Sequence, residues 1–126
     1  PQSMADLIVV EKIMQCLLDL DETVENGGPH LFFGVLNGAK PAIAGGMPDV
    51  SKLHFERALE LSDRKFLSIQ TAYAATFCRM TFNQELHDAL LQEVLNFPIE
   101  AAPDFALANQ IAKRKARELL DEKFFD

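Results

Sequence analysis

The chain has 126 residues, 48% of them hydrophobic and 25% charged, with twelve Lys and Arg against nineteen Asp and Glu for a net charge of −7. That is one ordinary domain with enough apolar material for a core, not a disordered or disulfide-stapled chain. No apolar run reaches the ~18–20 residues of a membrane-spanning helix, and phosphate recognition needs clustered positive charge that an acidic chain lacks, so nucleic acid is not an expected partner.

The opening PQSMADL has no basic segment followed by an apolar stretch, so it does not read as a signal peptide but as a mature, truncated or engineered end, and the chain is expected to be the C-terminal portion of a longer protein. From Met4 to Leu20, Ile8, Ile13, Met14, Leu17 and Leu18 follow a three-four spacing, which predicts a first helix near 3–21. ETVENGGP (22–29) breaks it. HLFFGVLNGA is a buried apolar segment too long for a typical strand and stopped by Lys40-Pro41, so it predicts a second helix near 29–40. After the PAIAGGMPD loop, Pro48 suits the first turn of a third helix near 48–62, with Leu53, Phe55, Ala58, Leu59 and Leu61 on its apolar side. An Ala- and aromatic-rich fourth helix is expected near 65–81. Asn83 is a good N-cap for a fifth near 84–97, and Pro103 opens a sixth near 103–123. The prediction is all-α, with about six helices in a single domain spanning 1–126.

Three helix ends share a pattern. MQCLLDL, FERALEL and LQEVLNF superpose without gaps, with Leu17, Ala58 and Val94 recurring 41 and then 36 residues apart. Tetratricopeptide repeats run ~34 residues as helix–turn–helix, and the Gly-Gly-Met-Pro loop accounts for most of the excess. Each second helix must nest against the next first helix, which is why such anchors recur. Gly34 and Ala74 are small residues where a first helix would cross its neighbour closely. The expected fold is therefore a right-handed stack of helix-turn-helix pairs, a tetratricopeptide-like α-α superhelix. Met14, Leu17, Phe55, Ala58, Leu59, Tyr73, Leu91, Val94 and Ile111 should be buried, as should Cys16 and Cys78, either as free thiols or, in an oxidising compartment, as a bridge.

No residue set announces chemistry. His30, His54 and His87 lie far apart without a second ligand at metal spacing, although His54 and His87 fall on successive second helices. Neither Gly-Gly pair precedes Lys-Ser or Lys-Thr, and no nucleophile motif is present. We expect no catalytic residue, metal or cofactor, and a binding protein instead of an enzyme. In stacked repeats the concave wall is lined by first helices. With Gly34, Ala74 and Ala112 set equivalent, the wall receives Leu31, Val35 and Ala39, then Thr71, Ala75 and Arg79, then Asn109, Lys113 and Arg117. Thr71, Arg79, Asn109, Lys113 and Arg117 are the expected ligand- or partner-binding residues. Arg79 and Arg117 share a register and stand open to a carboxylate, unless Glu85, Glu118 or a nearby acid pairs with them. The opening helix would be the second half of a repeat whose partner is missing, so its apolar Ile8, Val9 and Ile13 mark an association surface and a homo-oligomer is expected.

The segment FFGVLNGAKPAIAGGMPDVSKLHFERALELSDRKFLSIQTAYA resembles the TRAP-transporter-associated TatT component family. The likeness rests on Gly34, Pro41, Gly45-Gly46, Pro48, the run His54 to Ser62, Tyr73-Ala74, Leu90 to Leu95 and Asn109 to Ala116, and it extends over roughly Glu11 to Glu122. It implies cryptic tetratricopeptide-like repeats and a periplasmic protein anchored by a lipid in its full-length form. It also implies partnership with the periplasmic solute-binding protein of a TRAP-type uptake system. A general tetratricopeptide adaptor that grips a peptide segment in its concave groove is the alternative.

Overall fold

The computed structural model of the protein describes residues 2–126 and is all-helical. Six helices are formed among the described residues: α1 (Gln2–Leu20), α2 (Gly28–Gly38), α3 (Pro48–Leu61), α4 (Ser68–Tyr73, continuing through a π turn at Ala74–Cys78 to residue 80), α5 (Gln84–Asn96) and α6 (Ala106–Asp121). The segment 30–38 is helical, as a repeat requires.

The ends of the helices follow local chemistry. Pro29 and Pro48 occupy the first turns of α2 and α3, where a missing N–H costs nothing. Asn83 caps α5, its side chain accepting from the Leu86 amide at 3.1 Å. The starts of α4 and α6 fall about three residues later than the pattern suggests. Asp63 and Arg64 take positive φ after α3, and Pro103–Phe105 forms a separate 3-10 turn before α6.

Pairs α2–α3 and α4–α5 pack as hairpins, while α2, α4 and α6 pack side by side. Phe55, Ala58, Leu59, Tyr73, Leu91 and Val94 are buried where these layers meet, and the rings of Phe55 and Tyr73 stack at 4.7 Å. Fully burying one such side chain contributes ~1.5–3 kcal/mol. The small residues Gly34, Ala74 and Ala112 are all buried. A Cβ at Gly34 would stand 3.0 Å from the Phe55 ring, and one at Gly38 would collide with Ser51 Oγ, so both glycines serve close approach of α2 to α3.

Four core expectations are corrected at the edges of the stack. Ile111 is 59% exposed, because α6 turns Asn109, Ala112, Ala116 and Leu119 inward and leaves Ile111 on its outer side. Met14 and Leu17 are only partly covered, and Cys16 is exposed. The cause is shared: α1 is apolar around much of its circumference but packs chiefly on α2, so one neighbour covers only part of it. Cys78 is buried, and burial pushes its thiol pKa up to about 12, which leaves it an inert core group. The π turn had no signature in the sequence; within it the Thr76 hydroxyl donates back to the Ala72 carbonyl at 2.7 Å.

Candidate docking face

The helices α2, α4 and α6 pack side by side, and the expected wall positions fall three residues before, one after and five after the small crossing residue of each. On α2, Leu31 and Val35 are half-buried and Ala39 is exposed; on α4, Thr71 is buried and Ala75 half-buried. The five residues singled out from the sequence all lie on α4 and α6, yet their environments differ.

Thr71 turns its hydroxyl onto the Ser68 carbonyl at 3.0 Å. Asn109 is fully buried and ties α6 to the start of α4. Its Oδ1 accepts from the Leu67 amide at 3.0 Å and its amide nitrogen donates to the Lys65 carbonyl at 2.9 Å. This supplies from another helix the cap that the sequence before α4 lacks. Lys113 reaches the end of α5, donating to the carbonyls of Val94 and Leu95 at 2.6 and 2.9 Å, where a cation complements the helix dipole. Burial lowers its pKa, and the neighbouring Arg117 adds to that.

Arg79 is not open to the groove: its side chain is 11% exposed and donates from all three of its nitrogens. It donates to Glu122 Oε1 at 2.6 Å, to the Leu119 carbonyl at 3.0 Å and to His87 Nε2 at 3.2 Å, and its guanidinium lies 4.7 Å from the centre of the Phe124 ring. An arginine only donates, so His87 Nε2 accepts here; the proton sits on Nδ1 and goes to Asp88 Oδ1 at 2.9 Å. The partner acid is Glu122, one turn beyond Glu118, because Arg79 reaches the C-terminal end of α6. Its hydrogen bond holds the Glu122 carboxyl below the usual range. Arg117, by contrast, is exposed and makes no hydrogen bond or ion pair among the described residues. The two guanidiniums therefore have opposite characters, one built into the wall and one presented to solvent.

Two networks elsewhere were not anticipated. Arg64 grips Glu93 with both arms of its guanidinium at 2.9 and 2.6 Å, and Gln70 also donates to Glu93 at 2.9 Å. Burial pushes the Glu93 pKa up, but the hydrogen bonds from Arg64 and Gln70 outweigh it and the net direction is down. On the first hairpin, His54 pairs with His30 and not with His87. That contact was legible in principle, since in an antiparallel pair pivoting on the 42–44 turn residue 30 faces residue 54.

Among the described residues no group of three His, Cys, Asp or Glu gathers as a metal site, and no helix is long and apolar enough to cross a membrane. The wall has half-buried apolar Leu31 and Val35 on α2 and the basic Lys113 and Arg117 on α6. No curated protein matches the chain. The family model described as TRAP transporter T-component matches residues 1–125, nearly the whole chain. The protein belongs to the TRAP transporter T-component family and has its accessory role in a TRAP system.

Proposed function

We propose that the protein docks the solute-binding protein of its TRAP system, or that protein's anionic ligand, through the wall formed by α2, α4 and α6. The observation that carries this reading is the family match over residues 1–125. Within the wall, Asn109, Lys113 and Arg79 set the shape from behind, through the hydrogen bonds that join α4, α5 and α6, and Thr71 turns its hydroxyl back onto its own helix. Arg117 is the exposed contact, and its fixed fork of donors suits a carboxylate on the partner. The family also favours an extracytoplasmic site of action, with a lipid anchor in the full-length protein.

Self-association is part of the same proposal. In the repeat phase, α1 is a second helix with exposed Leu7, Ile8, Val9 and Ile13, and α6 is a first helix with exposed Leu107 and Ile111. Their charges are complementary: α1 has Asp6, Glu11 and Asp19 against Lys12, whereas α6 has Lys113, Arg114, Lys115 and Arg117 against Glu118 and Asp121. A second copy seated head to tail would complete a helix pair, a heterologous contact. Sedimentation of the wild type and Ile111→Glu tests it: a monomeric wild type at high concentration contradicts the contact.

The docking reading is tested by calorimetric titration of the cognate solute-binding protein into the chain. Binding that weakens about tenfold or more in Arg117→Ala, with an unchanged melt, supports it; a ~1.4 kcal/mol contact is worth that factor. Absence of binding to the wild type refutes it.

A further inference from the structure

We infer that His30 and His54 form an acid-sensitive latch that closes α2 on α3. Their Nδ1 atoms lie 2.9 Å apart and their ring centroids 5.1 Å apart. At that distance one Nδ1 must carry a proton and the other must not. Glu22 settles which is which. Its Oε1 stands 3.4 Å from His30 Nε2, a ring nitrogen otherwise buried without a partner. A carboxylate only accepts, so neutral His30 carries its proton on Nε2 and leaves Nδ1 as the acceptor. His54 is then the Nδ1–H donor. Glu22 is held in turn by Arg57, which also pairs with Glu60. On the other side, the Phe33 ring lies 5.3 Å from the His54 ring, and Glu11 and Lys12 of α1 border Phe33.

This arrangement takes one proton and refuses two. A charged His30 keeps Nε2–H toward Glu22 and donates Nδ1–H to His54, which switches tautomer to accept it. A second proton places two N–H groups and two positive charges face to face at 2.9 Å, with Glu22 the single carboxylate beside them and Arg57 adding to the repulsion. Burial is the chief cause lowering both histidines below their ordinary pKa, opposed at His30 by Glu22 and assisted at His54 by His30. Separating α2 from α3 removes both penalties, so acid favours the open hairpin. The sign follows: the latch's stabilisation is complete above the unfolded histidine value of ~6.5 and is lost as pH falls below it. The latch is a property of the hairpin itself and holds whether or not the wall docks a receptor.

The test is an imidazole nitrogen NMR titration of the whole chain from about pH 8 to about pH 5, with amide exchange followed in α2 relative to α5. The expected result is the Nδ1–H tautomer at His54 and Nε2–H at His30 at high pH, then two coupled protonation steps. The second step should coincide with a rise of about tenfold or more in α2 exchange relative to α5, the factor that one pKa unit of linkage supplies. His54→Gln can still donate to His30 but cannot titrate at position 54, so its α2 exchange relative to α5 should stay flat across the range. Independent titration of the two rings near ~6.5, Nε2–H tautomers on both, or unchanged α2 protection in the wild type would each overturn the latch. The wild-type titration decides the matter even if His54→Gln does not fold.

Discussion

Replacing Gly38 by alanine isolates the close approach of α2 and α3. A Cβ at this position collides with Ser51 Oγ and sits 3.2 Å from Ser51 Cβ and 3.3 Å from the Phe77 amide nitrogen. Ser51 is fully buried and donates to the Gly34 carbonyl at 2.6 Å, so it cannot move aside without giving up that bond. Losing a buried hydroxyl's partner costs ~1–3 kcal/mol and overpacking a tight site ~1–3 kcal/mol. The helix gains ~0.5–1 kcal/mol from replacing glycine. The net is destabilisation by about 3 kcal/mol, which at an unfolding entropy of ~2.1 cal/mol/K per residue lowers Tm by roughly 11 °C in a chain of this length. Thermal melts of the wild type, Gly38→Ala, Ser51→Ala and the double variant close a cycle. Because Ser51→Ala removes the obstructing oxygen, the two costs should fail to add by about 1 kcal/mol or more. A Gly38→Ala protein that melts at or above the wild type, as helix propensity alone would give, refutes the reasoning, and so would strict additivity.

Other outcomes follow from the same contacts. Arg79→Ala should destabilise by ~1–3 kcal/mol in a denaturant titration, since it strips the packing under Phe124 and orphans the Leu119 carbonyl and His87, while Arg117→Ala should stay within ~0.5 kcal/mol of wild type. Asn109→Ala leaves the Leu67 amide and Lys65 carbonyl without partners and should cost ~2 kcal/mol or more, read in the same experiment. Ala58→Leu, at a fully buried crossing, should cost ~1–3 kcal/mol by overpacking, seen as a lowered Tm. The Glu93 carboxyl is held below its ordinary value, so its contribution is present above the unfolded glutamate value of ~4.3 and lost as pH falls through the folded one; Glu93→Gln should flatten that limb of a stability–pH curve.

The helices were legible because their signals are local: the three-four spacing of α3 and α5, the prolines that open α2 and α3, and the Asn83 cap act within a few residues. The repeat register was legible for a related reason, since small residues at Gly34, Ala74 and Ala112 are demanded by crossings that recur along the chain. What the sequence hid was the partner choice of long polar side chains. Arg79 finds Glu122 across 43 positions, and Asn109 caps a helix that begins 41 residues earlier, contacts set by how α6 lies on α4 and not by any spacing along one helix. Edge burial was hidden as well. Ile111 and Cys16 sit in apolar strings that read as core, and only the placement of the neighbouring helices reveals that nothing covers them.

Amide hydrogen exchange of the chain, alone and saturated with the cognate TRAP solute-binding protein, tests the docking claim most directly. The account predicts new protection on the wall, at α2 around Leu31 and Val35 and at the α6 turn carrying Lys113 and Arg117. Protection confined to the outer sides of α3 and α5, with α2 and α6 unchanged, would contradict it.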